Sequence, residues 1–465
     1  MSTPIRLTDA AITQALALPT DLRAPMGLSD QIRSAVAITP QRRGSVLGWR
    51  VTRRRAIVLR LALVAVALLV LGGLVLIVGS RRPPVVPPPP PPPTTSTYHG
   101  GFERNGLMPG PAVAGVPSVV WHQTVKGPMG AWSPVVLDGM VVVADQSGYV
   151  SAFNEVTGDQ LWQQSVGAPI NAGITVNAGL IIVGDDAGVV HALPLTGGAE
   201  RWRTTVGAPV HSAAVVVGGT AFVGTTDGRL WALDAMTGMS KWAPVVTAGP
   251  ISRAIAASGD QVFVGSGGAT PAESGTLQAY DATTDALRWA APVEPGNTST
   301  PSVAEGVVFV TGGLDQTATG AHDLFAFNAG TGKPAWVAPF RAPSGKTLLV
   351  GAVAGGQVFA LGTDGSMYVL DAVTGSEVWG APIGSRQSPS AGVVNGSVYV
   401  TSDDRTVHAF DIASHQTLGE GWPIAVAGVP GSPAIVDGRI FVGTSSGEVL
   451  SIGGSGPSSS GAPLP

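Results

Sequence analysis

Metal or acid–base chemistry in this chain would have to come from seven histidines (His99, His122, His191, His211, His322, His408 and His415) and 30 acids, and their spacing supplies neither. The histidines show no metal-ligand spacing. Cysteine is absent, which removes thiolate metal sites, a cysteine nucleophile, disulfides and a lipid-modified N-terminal cysteine. A zinc ion would therefore need imidazoles and carboxylates gathered from scattered segments. Asp185-Asp186-Ala187-Gly188 and Asp227-Gly228 invite a calcium reading, but they lack the further ligands of a calcium loop and read better as hairpin turns. The sequence thus assigns no catalytic, cofactor-binding or metal-binding residue.

The elements around these residues are set by tryptophan. Trp121, Trp162, Trp202, Trp242, Trp289, Trp336, Trp379 and Trp422 recur at separations of 41, 40, 40, 47, 47, 43 and 43 residues. A unit of that length cannot bury its own apolar face, and radial stacking of four-stranded units buries it in a propeller. Between the third and fourth strands stands an eleven-residue frame, Ala152-Phe153-Asn154-Glu155-Val156-Thr157-Gly158-Asp159-Gln160-Leu161-Trp162. It returns as 232–242, 326–336 and 369–379, more loosely as 192–202 and 279–289, and with an insertion in 409–422. The Asp or Asn accepts turn amides, Thr-Gly makes the reversal and the indole wedges against the neighbouring blade, so all eight tryptophans are expected to be structural. The last repeat, 433–452, stops after three strands, while residues 118–124 read as an orphan fourth strand. Their pairing predicts an all-β, eight-bladed ring closed by its N-terminal strand, over 118–452.

The frame A-x-D-x-x-T-G-x-x-x-W resembles the tryptophan-docking repeat of the PQQ-like (quinoprotein alcohol dehydrogenase-like) β-propellers. That resemblance implies the fold and covers about residues 118–452. The family includes dehydrogenases holding pyrroloquinoline quinone above calcium, and non-enzymatic members of the BamB type, to which this chain is similar in repeat number. No Glu, Asn and Asp set here matches the quinone site by position, so no cofactor is expected, although PQQ with calcium stays the runner-up.

Charge divides the chain. Residues 1–82 hold 12 Lys and Arg against 3 acids, the remainder 14 against 27. An acidic propeller argues against nucleic acid, whose binding requires clustered cations on phosphates. Residues 61–79, LALVAVALLVLGGLVLIVG, carry no charge and as a helix would cover roughly 28 Å. With Arg50, Arg53, Arg54, Arg55 and Arg60 before them, the arrangement predicts a transmembrane helix over 56–79, a largely disordered cytoplasmic tail over 1–55 and an extracytoplasmic propeller. A cleaved export signal is the alternative. Residues 80–117 read as a Pro-rich extended linker and lead-in, of which 83–97 as polyproline II would reach roughly 45 Å. Residues 453–465 read as a disordered Gly/Ser/Pro tail.

Departures from the minimal repeat fall on one face, where fourth-to-first strand connections and second-to-third strand turns emerge: 266–275, 312–323 and 341–347. Trp132, His211, Arg253, Arg386 and Arg405 are expected on or near it and form the candidate binding face. The function expected is a membrane-anchored scaffold binding a protein or envelope polymer. The rivals are a tethered PQQ dehydrogenase and a single-pass sensor reporting through residues 1–55.

Overall fold

The computed structural model describes residues 95–268, 270, 273–313, 322–384 and 390–455. The expected tail, the transmembrane segment, residues 80–94 of the linker, Arg386 and residues 456–465 lie outside the described residues. Among those described, no helix is long and apolar enough to cross a membrane.

Eight antiparallel sheets form the blades, and every strand but the first pairs with its sequence neighbours. Blade 1 has strands A Val135–Leu137, B Met140–Ala144, C Tyr149–Asn154 and D Gln160–Ser165. Blade 2 repeats this with Thr175–Asn177, Leu180–Gly184, Val189–Pro194 and Trp202–Thr205. The inner A strands of blades 3 to 8 begin at Val215, Ala256, Ser302, Leu348, Ser390 and Ala434. In blade 8, Val116–Thr124 supplies strand D and pairs with Glu448–Ser455, from Thr124 opposite Glu448 to Val119 opposite Ile452. Ring closure by the N-terminal strand is therefore as expected.

Apolar alternation puts one clustered core at each of the eight interfaces between neighbouring blades. Val142, Val150 and Ala152 of blade 1 meet Ile181, Val183 and Leu193 of blade 2. At the seam, Trp121 and Phe441 of blade 8 meet Val141 and Phe153 of blade 1. Each side chain in this second set is at least nine-tenths buried. At about 25 cal/mol per Å² of apolar surface, these interfaces dominate the energetics of the ring.

Two expectations need correction. Four strands per blade fail in blade 5, whose sheet has three. Strand D shrinks to Val245–Val246 in blade 3 and Ile424–Ala425 in blade 7. Proline explains all three, because Pro244, Pro334, Pro339 and Pro423 in these outer segments have no N–H to give a ladder. In blade 5 only isolated pairings survive, Phe327 with Pro334 and Leu324 with Phe340.

The second correction concerns the lead-in. Residues 95–113 do not run free; they thread the centre of the ring as a strap. Thr95 N–H donates to Val136 O (2.8 Å), Val176 N–H to Ser96 O (2.8 Å), Ala257 N–H to Phe102 O (2.8 Å) and Val303 N–H to Glu103 O (2.8 Å). Val353 N–H then donates to Asn105 O (2.7 Å) and Val393 N–H to Gly106 O (2.8 Å). Those partners lie on the A strands of blades 1, 2, 4, 5, 6 and 7. The strap thereby gives inner-edge backbone groups the partners that burial demands. Gly106 (φ +70°) is required at its place, since a Cβ there would stand 2.7 Å from that of Ala352.

Candidate binding face and axial strap

Each docking tryptophan is built from the frame. In blade 1, Asn154 Oδ1 accepts the N–H groups of Val156 and Thr157 (both 2.9 Å), folding the C-to-D turn. The turn carbonyl at the next position then accepts an indole from the preceding blade. Trp121 Nε1 donates to Glu155 O (3.0 Å), Trp162 to Leu195 O (3.1 Å), Trp202 to Ala235 O (3.2 Å), Trp289 to Ala329 O (2.8 Å) and Trp336 to Ala372 O (2.9 Å). The indole face rests on the glycine of that turn; a Cβ on Gly158 would come within 2.7 Å of Trp121. Where another residue stands there the bond is absent. Opposite Trp379 the position is His415 (φ +63°), which stacks on the indole at 4.8 Å, and Trp379 Nε1 is buried without a partner among the described residues. Trp242 precedes the frame with Asp285 (φ +61°), and it likewise makes no such bond. Trp422 packs against Tyr399 (ring centroids 5.5 Å apart).

At the axis, Arg104 is wholly buried. Its Nε donates to Ile255 O (2.9 Å), Nη2 to Ala214 O (2.7 Å) and Ala213 O (3.3 Å), and Nη1 to Tyr98 O (2.8 Å) and the Thr97 hydroxyl. All five N–H groups are satisfied by neutral oxygens, and no described ion pair answers the charge. Burial lowers the Arg104 pKa to about 9, so the guanidinium stays protonated at neutral pH. The imidazole of His99 lies beside it with Nε2 2.8 Å from Ser390 Oγ. Burial drives the His99 pKa down to about 3, the nearby Arg104 charge adding to the effect against a hydrogen bond to the Arg104 carbonyl. Tyr98 stacks on His99 (4.0 Å) and meets Trp132 edge-on (4.8 Å).

Of the expected face residues, Trp132 and His211 are brought together. Trp132 Nε1 donates to Asn171 O (2.8 Å), Asn171 Nδ2 to Asp186 Oδ2 (2.7 Å), and His211 Nε2 lies 3.1 Å from Asp186 Oδ1. Gln146 Nε2 extends the chain by donating to Asn171 Oδ1 (2.9 Å). Arg253 is exposed and stands two residues before Ile255, whose carbonyl holds Arg104. Arg405 is exposed on the B-to-C turn of blade 7 (φ +68°), and no described hydrogen bond joins its side chain to the others. Sequence reasoning missed Tyr98, His99, Arg104, Asn171 and Gln146; the one available signal was an arginine in the glycine-rich run Gly100 to Gly106.

Asp185, read as turn chemistry, does cap its turn by accepting Val189 N–H (2.8 Å), but its other oxygen also lies 3.0 Å from the buried His191. The two lengthened connections of blade 5 are tied to each other and to strand D of blade 4, Leu287–Pro295. Arg341 grips Asp323 with two bonds (2.7 and 2.8 Å), and Asp323 N–H donates to Glu294 (2.7 Å). Burial foremost, with Asp323 adding, holds the Glu294 pKa above the usual carboxylate range.

A quinone over calcium would need convergent carboxylate and amide ligands near the axis. Among the described residues no group of three His, Cys, Asp or Glu could hold a metal ion, and the centre of the ring is filled by the strap with its arginine. These residues do not fit PQQ and calcium.

The family model described as outer membrane protein assembly factor BamB matches residues 146–270, 244–344 and 320–456. The chain belongs to this family. Among solved structures, BamB from Moraxella catarrhalis aligns with TM-score 0.59 at 19% identity, over 73% of this chain and 98% of that one. A quinohemoprotein alcohol dehydrogenase from Pseudomonas putida HK5 aligns with TM-score 0.60 at 14% identity, over 80% and 82%. A europium-containing methanol dehydrogenase gives 0.61 at 13%, over 78% and 98%. At such identities these likenesses carry the PQQ-like propeller fold and nothing finer. No curated protein matches the chain in sequence.

Proposed function

We propose that this BamB-family propeller is a non-enzymatic scaffold that presents the face bearing Trp132, Asn171, Asp186, His211 and Arg253 to a protein or envelope polymer outside the cytoplasm. The apolar run 61–79 anchors it, with residues 1–55 inside. The observation that carries this reading is the axial strap: a fully buried Arg104, bonded to carbonyls that lead into the A strands of blades 3 and 4, takes up the centre of the ring. Recognition then falls to the loop face at the end of the axis, where loops on a rigid ring suit binding.

The test is proximity labelling from the propeller in living cells, comparing the parent with Trp132→Ala and His211→Ala. A neighbour labelled by the parent and lost from both variants, with the melting temperature unchanged, supports the reading. Identical labelling in all three removes the face from it. The dehydrogenase fold of the structural neighbours keeps one alternative in play. Dye reduction with an alcohol or sugar, dependent on added PQQ and calcium, would establish that alternative and end the scaffold reading.

A further inference from the structure

The strap delivers a charge to the mouth of the axis that no described ion pair answers. Arg104 is a buried cation bonded only to neutral oxygens. Above it sits half-buried Tyr98, with the Arg104 guanidinium carbon 5.9 Å from its ring centre. Arg253 and Arg104 both act electrostatically on Tyr98, and Arg104 on His99. His99 is neutral at physiological pH and offsets nothing. Arg229, Arg288 and Arg341 each hold a carboxylate, whereas exposed Arg253 takes part in no described ion pair. Two cations free of acids stand out in a portion of chain with 14 basic and 27 acidic residues. Charge of that kind, walled by low-dielectric aromatic surface, concentrates an anion.

We infer that the mouth of the axis is a binding site for an oxyanion group, a carboxylate or a phosphate, gripped by the Arg253 guanidinium beside the Tyr98 and Trp132 rings. Arg104 acts from beneath through its field, since its own N–H groups are taken. A guanidinium fork meets either oxyanion through two parallel bonds, which supplies orientation as well as affinity. Trp132 lies at the same mouth, edge-on to Tyr98 at 4.8 Å, and joins this site to the Asn171–Asp186–His211 chain. The inference rests on the scaffold reading and narrows it, because the partner must present an acidic group at the centre of the face.

Calorimetric titration of the full chain in detergent tests it, at fixed ionic strength set with chloride. One arm uses inorganic phosphate and the other a glutamate-rich peptide. Saturable one-to-one binding is expected in at least one arm, weakened roughly tenfold or more in Arg253→Gln, as loss of charge-assisted bonds requires. Arg405→Gln, on the same face away from the axis, should leave it unchanged. Binding of phosphate alone assigns a phosphate source, and binding of the peptide alone a carboxylate. No saturable binding in either arm, or equal binding by the parent and Arg253→Gln, overturns the site. So does an equal loss in Arg405→Gln, which would mean diffuse charge. Because the titration does not involve the cellular partner, a negative result beside intact Trp132-dependent labelling sinks this site while the scaffold reading stands.

Discussion

Two glycines of blade 1 isolate what the tryptophan wedge demands. Gly139 (φ +73°) and Gly158 (φ +78°) share the left-handed conformation, but a Cβ on Gly139 meets open space, whereas one on Gly158 meets the Trp121 ring. Gly139→Ala should therefore cost about 1 kcal/mol, the backbone term alone. Gly158→Ala should cost about 1–3 kcal/mol more, because the indole must leave the Glu155 carbonyl or the blades must part. Urea denaturation of both variants checks this, and equal losses would dissociate the wedge from the glycine. His99 gives a second expectation at this scale. Its folded pKa, about 3, lies below its unfolded value near 6.5, so the unfolded chain binds the proton first as pH falls. Stability is then fully present above about pH 6.5 and drains away toward pH 3, by on the order of 4 kcal/mol at 1.36 kcal/mol per unit. His99→Gln should flatten denaturation midpoints across that window, even with a lower plateau.

The C-to-D turn is the element that made the ring legible. Its acceptor, its Thr-Gly reversal and its tryptophan stand at fixed offsets, and every one answers to a local geometric need, so blade number and closure could be read from spacing alone. Asp234, Asp281, Asp371 and Asp411 are held below the usual carboxylate range by hydrogen bonds from their Thr or Ser hydroxyl and the turn amides, with Arg288 a further chief cause at Asp281. A depressed carboxylate stabilises above its unfolded pKa near 4 and stops doing so as pH falls through the folded value. Asp371→Asn keeps the Oδ1 acceptor, as Asn154 and Asn328 do naturally, but lacks the charge. Its thermal midpoint should lie below the parent's at pH 7, and the two should draw together as pH falls below the unfolded value near 4; a difference that acid leaves unchanged would mean a lost hydrogen bond instead. What escaped the sequence was the strap. A segment whose amides and carbonyls pair singly with successive inner strands has no period of 2 or 3.6 to betray it, and residues 95–113 looked like more of the linker. The broken outer strands escaped for a related reason: the tryptophan spacing survives in blade 5, while Pro334 and Pro339 remove the ladder around it.

Over the whole molecule, the N-terminal segment closes the propeller twice, first at the axis through residues 95–113 and then at the rim through Val116–Thr124. The two closures rest on different physics, and truncation separates them. Removing residues 1–113 takes away the strap and leaves inner-edge groups such as Val303 N–H and Val353 N–H, with the carbonyl of Ile255, without their partners. Water entering the axis can satisfy some of them, so the ring should remain a folded monomer with a clearly lower denaturation midpoint. Removing residues 1–125 also takes the outer strand of blade 8. That exposes the edge of Glu448–Ser455 along its length and deletes Trp121 from the seam with blade 1. An open edge of eight residues beside an uncovered apolar seam is a template for pairing with another chain. The shorter product should therefore self-associate in sedimentation velocity at concentrations where the 114–465 product stays monomeric. If both truncations sediment as monomers with the same midpoint, the rim strand contributes no closure and the seam is held by the blade 8 to blade 1 packing alone. If the first already aggregates, the strap is the true lock of the ring, and the outer strand merely follows it into place.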